Sequence, residues 1–384
     1  MKNIKKALAV ILAALVLVST FAVTSFAAPS SKDRYSVLVL DVSGSMSGNK
    51  IEELKVGATK FCEYVLSSNR SNNQIAVVTF ASGSSLISEF TNDLEALKTT
   101  IAGLRAGGGT DLTGGINKGK AALEAVTGDV IRNMLVMCDG EPNNASTAYN
   151  AVMTAPRNWN IYGLYYCPNG YSSSAANVMF NVGRNGYYSV PSAQDLDYAF
   201  IEKGTDVTTK SVNGVVVRIA CPVDVAVTIE DETQKDSYGN DVVLKSRTLD
   251  KNNTQTTFGT LTFEGENNEI KVLNLAYNDN YKIEITGYDE GTMDYSIEYY
   301  CNEDLLYNLD YPTVNVNAET VINTGVDVDD SSMTLDFVDA NGEVVDTVSP
   351  KVSTTSIWYK IQQFFDELIY KIKEFFAKYF NIQF

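Results

Sequence analysis

The run Tyr35-Ser-Val-Leu-Val-Leu40 limits what this chain can fold into more than any other stretch. It is aliphatic and β-branched, nearly continuous, and too short for a helix, which is the pattern of a strand buried on both faces of a sheet. It stops at Asp41-Val-Ser43-Gly-Ser45, so a carboxylate and two hydroxyls follow the strand end at two-residue spacing. Oxygen donors clustered in this way suit a hard divalent cation, Mg²⁺ or Ca²⁺. Taken alone, the same five residues also read as an ordinary serine-rich turn.

The following residues extend the pattern. Ile51, Leu54, Val56, Ala58, Phe61, Cys62, Val65 and Leu66 recur at roughly helical spacing, and Gln74–Phe80 and Ser85–Phe90 read as strands. Asn92-Asp93 caps a helix from Leu94 to about Leu104. Then comes Gly107-Gly-Gly-Thr110-Asp111, whose glycines permit close backbone approach, with Thr113 expected to cap a helix from Gly114 to about Val126. The glycines do not make a phosphate loop, because no Gly-Lys-Ser/Thr follows at the required spacing. Val130–Cys138 is a second buried strand, and it ends in Asp139-Gly140-Glu141-Pro142. Ala145–Ala155, Ser174–Val182 and a segment from Ser192 to about Lys203 read as helices, separated by strands at Trp159–Tyr166 and Tyr187–Val190. Strands alternating with helices predict an α/β fold with a doubly wound, mostly parallel sheet. Such sheets bind ligands at the carboxyl ends of their strands, where Asp41 and Asp139 lie and where the Thr110 loop can reach them.

Asp41-x-Ser43-x-Ser45, the Gly-Gly-Thr110-Asp loop and the strand ending in Asp139-Gly-x-Pro142 together resemble the von Willebrand factor type A domain over about residues 33–205. The resemblance implies a Rossmann-like sheet carrying a metal-ion-dependent adhesion site. Ser43 and Ser45 are implied as direct ligands. Thr110 is implied as a ligand directly or through water, and Asp41 and Asp139 directly or through water. Mg²⁺ is the implied cation, with Ca²⁺ or Mn²⁺ as alternatives, and a sixth position is implied for water or a carboxylate supplied by a partner. Cys138 departs from the family, which usually has Thr or Ser before this Asp. Asp111 and Glu141 lie close in sequence and are candidates for a surrounding layer, or else solvated loop charges.

The flanks carry their own signals. Lys2, Lys5 and Lys6 precede an apolar run from Ala7 to about Val23, followed by Ser25-Phe-Ala-Ala28. This is the pattern of a bacterial-type secretory signal peptide over residues 1–28. From Asp206 the composition shifts to Val, Thr, Asn, Asp and Tyr, with short alternating segments between Asn/Gly turns, which predicts an all-β, sandwich-like domain over 206–349. Its expected role is a spacer, since fold alone does not confer a function. The tail repeats Ile357, Ile361, Phe364, Phe365, Leu368, Ile372, Phe375, Phe376 and Tyr379 at helical spacing against a charged face, predicting an amphipathic helix over 356–382. A membrane surface, a second copy and the β-rich domain are its alternative partners.

With the three signal lysines removed, the formal charge goes from −17 to −20, a poor match for nucleic acid. No His is present, so the commonest general base and the usual zinc ligand are missing, and no nucleophile arrangement is recognisable. The five cysteines are widely spaced and form no framework, with Cys221–Cys301 the one pairing considered. The chain therefore reads as a non-enzymatic, secreted or cell-surface module that binds a protein through a metal ion and a partner Asp or Glu. The alternative is a structural surface or matrix subunit with a purely structural ion.

Overall fold

Alternate residues of the first strand, β1 (Arg34–Asp41), go to opposite faces, and both faces are buried. Val37 and Val39 pack with Ala76, Val78, Met134 and Val136, while Leu38 and Leu40 pack with Ile75, Val77, Leu135 and Met137. Burying a Leu or Val completely stabilises by about 1.5–3 kcal/mol relative to leaving it in water, so a two-sided apolar strand settles in the middle of the sheet. The computed structural model describes residues 32–68, 72–140, 142–143, 145–209, 212–220, 222–229, 233–235, 241–243, 247–265, 267–278, 280–327 and 333–352. The signal segment 1–28, the tail helix 356–382 and Cys221 with its pairing lie outside the described residues.

Around β1 stand β2 (Asn73–Phe80), β3 (Ser84–Thr91), β4 (Ile131–Cys138), β5 (Asn160–Tyr166) and β6 (Tyr187–Val190), in the order β3-β2-β1-β4-β5-β6. All pairings are parallel except the edge hairpin β2–β3. The helices are α1 (Asn49–Ser67), α2 (Leu94–Ala102), α3 (Leu112–Glu124), α4 (Ala145–Met153), α5 (Ser173–Val182) and α6 (Ala193–Thr209). One face is covered by α3, α4 and α5 through Ile116, Val152 and Met179, and the other by α1, α2 and α6 through Phe61, Ile101 and Phe200. The doubly wound α/β sheet expected from the sequence is present, element for element.

Two local readings are corrected. Helix α3 begins at Leu112, and its N-cap is Asp111, whose Oδ1 accepts from Gly114 N at 3.0 Å; Thr113 instead pairs with the Thr147 hydroxyl at 2.7 Å. A carboxylate at the helix start both satisfies an orphan N–H and complements the helix dipole, so it outcompetes the hydroxyl two residues later. The last helix, α6, continues to Thr209.

The remaining strands form antiparallel sheets. One runs Arg247–Leu249, Val223–Ile229, Tyr281–Gly287, Val321–Thr324, Leu335–Val338, Val344–Val348 in spatial order. A second runs Gly259–Glu264, Ile270–Ala276, Gly214–Ala220, Gly291–Cys301, Asp304–Asp310, Lys351–Val352, with Val314–Val316 beside Gly291–Cys301, and Thr233–Lys235 pairs with Asp241–Val243 in a separate two-stranded sheet. Val217, Ile219 and Ile297 from the second share a core with Val227, Ile283 and Ile285 from the first, as in a sandwich. The strands at Asp304–Asp310 and Val344–Val348 escape the sequence pattern. The first depends on a two-residue turn through Asn302, held at φ 57°, and the second is a largely exposed sheet edge.

The sandwich meets the α/β layer at the amino ends of the parallel strands. Asn213, fully buried, donates to Asn158 O at 2.8 Å and to Asn302 Oδ1 at 2.9 Å, and accepts from Asn302 N at 2.8 Å. Asn302 in turn donates to Asp129 Oδ1 and Val130 O just before β4, and Asn185 donates to Tyr277 O at 3.1 Å. Replacing Asn213 by Ala removes three hydrogen bonds to half-buried partners on Asn158 and Asn302, a loss of about 1–2 kcal/mol. Denaturant unfolding checks this, and a midpoint unmoved by Asn213→Ala refutes the clamp.

Candidate metal centre

Because β1 and β4 are adjacent and parallel, with Leu40 opposite Met137, both strands end at the same crevice. This is the topological switch point of the sheet, where chain connections diverge to either side. Asp41 closes β1 and is fully buried. Its Oδ1 accepts from Ser43 N at 2.7 Å; its Oδ2 accepts from Cys138 Sγ at 3.1 Å and Asp139 N at 3.4 Å. None of these donors carries a charge. Burial, the dominant influence, raises the Asp41 carboxyl above its ordinary value, against the opposing hydrogen bonds from Ser43 and Cys138.

From Ser43 a chain of polar contacts leads across to β4. The Ser43 and Ser45 hydroxyls lie 2.9 Å apart, and Ser45 Oγ donates to Asp139 Oδ1 at 2.7 Å. The other oxygen of Asp139 accepts from Lys50 Nζ at 2.7 Å. Ser43 and Asp139 are buried, whereas Ser45 is exposed, so the cluster opens to solvent on one side.

The third segment is bound tightly alongside. Gly44 N donates to Gly108 O at 3.0 Å and Gly107 N to Val42 O at 2.8 Å; Gly109 N reaches Ser82 Oγ at 2.8 Å. Gly108 sits at φ 87°, and a Cβ there would lie 2.7 Å from Ser82 Oγ, so glycine is required for this approach. Half-buried Thr110 is anchored through its carbonyl, which accepts from Asn143 N at 3.1 Å.

The structure thus joins Asp41, Ser43, Ser45 and Asp139 in one polar cluster and brings the Thr110 loop against it. Asp111 spends its carboxylate on the α3 cap, and Glu141 lies outside the described residues. Two further residues take part: Cys138, which the sequence marks only as a departure from the family, and Lys50, which the sequence pattern does not single out. Cys138 donates to Asp41, and its thiol is held well above the usual range, chiefly by burial. Lys50 pairs with Asp139; its signal in the sequence was a cation in the first turn of a helix, where the dipole disfavours it. These residues fit a hard divalent cation: every donor is oxygen, two carboxylates converge, and the deepest has only uncharged donors.

In metal-free protein the folded state binds a proton at Asp41 more readily than the unfolded chain does. Stability therefore falls as pH rises from about 4, the ordinary carboxylate value, through the raised folded value, and levels off above it. Asp41→Asn removes that part of the slope in urea unfolding with chelator present. An unchanged slope in the variant refutes the assignment.

Comparison with solved structures gives likenesses of low identity. A von Willebrand factor type A protein from Catenulispora acidiphila matches at 13% identity and TM-score 0.55, covering 75% of this chain and 66% of that one. The PilB minor pilin from Streptococcus sanguinis matches at 12% identity and TM-score 0.40, covering 47% of this chain and 62% of that one. The pilus adhesin SpaC from Lactobacillus rhamnosus GG matches at 12% identity and TM-score 0.39, over 84% of this chain and 44% of that one. The chain spans under two thirds of the length of each. Comparison with curated proteins gives no match. Residues 36–141 match the family model of the von Willebrand factor type A domain, and with the sheet order and layers described above the chain carries a domain of that kind.

Proposed function

We propose that this protein is an extracellular binding module whose α/β domain holds a divalent cation, Mg²⁺ foremost, and through it engages an Asp or Glu of a protein partner. The observation that carries this reading is the polar cluster Asp41–Ser43–Ser45–Asp139 at the crevice between β1 and β4. Ser43, Ser45 and Thr110 offer neutral oxygens, and Asp41 and Asp139 offer the negative charge. When bound, such a cation supplies an open position with residual positive charge for an incoming carboxylate. Asp41, buried under Cys138 and Ser43, orients the Ser43–Ser45 turn through the Ser43 N–H. The exposed Ser45 side marks the direction of approach for a partner.

The placement of the sandwich supports the same reading. Its contacts through Asn213, Asn302 and Asn185 lie at the amino ends of β4, β5 and β6, away from the crevice, so the site faces outward from its support. We read the leader at residues 1–28 as directing secretion, and the protein as a binding module with no catalytic role.

The test is isothermal titration of Mg²⁺, Ca²⁺ and Mn²⁺ into the chelator-treated mature chain, with Asp41→Ala as control. One saturable site, lost in the variant, is expected. Adding a short Glu-bearing peptide is then expected to give metal-dependent heat that Asp41→Ala abolishes. No binding at millimolar metal sinks the reading. Self-association that persists without metal then favours an assembly subunit.

A further inference from the structure

Lys50 stands where local physics disfavours a lysine. It occupies the first turn of α1, against the positive end of the helix dipole, and the N-cap Gly48 supplies no side-chain cap. Its ammonium is nonetheless drawn inward, with 14% of the side chain exposed, onto an Asp139 side chain that is fully buried. At 2.7 Å it takes one carboxylate oxygen while Ser45 takes the other. Both oxygens of the β4 carboxylate are thus occupied by donors from the β1–α1 segment, one of them a full positive charge.

We propose that Lys50 is a built-in competitor for the cation site. Its ammonium neutralises Asp139 when no metal is bound and is displaced from that carboxylate when metal binds, so it lowers metal affinity and couples metal uptake to the start of α1. The proposal rests on the metal-binding reading above. Two cations beside one buried carboxylate repel each other strongly at low effective dielectric, so ammonium and metal oppose one another's occupancy. The opposition is reciprocal, as linkage requires: whatever weakens the Lys50–Asp139 pair tightens the metal, and metal loosens the pair. A lysine suits this role better than an arginine. Its charge is a compact point on a flexible stem, whereas guanidinium forms a planar two-point fork with a carboxylate.

The experiment has two arms on the mature chain. In the first, Mg²⁺ and Mn²⁺ are titrated calorimetrically into wild type, Lys50→Met, Lys50→Gln and Lys50→Arg after chelation. The neutral variants are expected to bind about 5- to 10-fold more tightly, the lower part of the usual range for coupled sites, and the arginine variant no more tightly than wild type. In the second, the unmutated protein is pulse-labelled with acetic anhydride and the peptide bearing Lys50 is followed by mass spectrometry. Lys50 is expected to acetylate several-fold faster with saturating Mg²⁺ than with chelator, while Lys118 and Lys120 on α3 keep their rates. Equal or weaker metal binding by the neutral variants overturns the proposal alone, as does a Lys50 labelling rate indifferent to metal. Failure of wild type and neutral variants alike to bind metal overturns the metal reading and the proposal with it.

Discussion

Strands β1 and β4 run side by side and in the same direction, so their ends deliver two carboxylates, Asp41 and Asp139, to one point. Like charges brought together out of water raise each other's free energy, and much of the surrounding structure answers that problem. Ser43 N, Cys138 and Asp139 N turn donors toward Asp41, and Ser45 and Lys50 turn donors toward Asp139. The glycines at 44, 107 and 108 let the Thr110 loop close against the same turn. A cluster arranged this way costs stability, and under the proposed function a bound cation would offset that cost.

The two layers divide the work along the strand axis. At the carboxyl ends the loops are short, polar and tied to one another through main-chain bonds. At the amino ends the side-chain amides of Asn213, Asn302 and Asn185, with the Asn158 carbonyl, join the sandwich to the sheet through hydrogen bonds in place of charge pairs. Amides buried with their partners met hold a fixed register without the desolvation cost of ions. Nearby, Arg184 donates to the carbonyls of Ala155 at 3.2 Å and Trp159 at 2.8 Å, closing the loop that follows α4. Below this seam, the apolar core under α3, α4 and α5 continues into the sandwich core.

Much of this was legible in the residues because it is periodic or positional. Two-sided apolar runs, helical stripes and polar residues at strand ends are local properties, and they yielded the order of strands and helices and the five oxygen-bearing positions. The readings that failed involve competition or long range. Asp111 displaced Thr113 as the α3 cap because a carboxylate is the stronger partner for orphan N–H groups, which periodicity does not weigh. The strand Asp304–Asp310 is defined by its pairing with Gly291–Cys301, and the edge strand Val344–Val348 has no buried face to impose alternation.

By itself the sequence determined the fold class, the positions of Asp41, Ser43, Ser45, Thr110 and Asp139 relative to their strands, and the all-β character of the second half of the chain. Each depends on side-chain periodicity or on turn chemistry within a few residues. Only the tertiary structure decided which of those residues touch, that Lys50 and Cys138 join them, and that the sandwich sits at the opposite end of the sheet. Those facts link positions such as 50 and 139, or 185 and 277, which are far apart in the chain. Their proximity follows from strand order and helix placement, which no local pattern encodes.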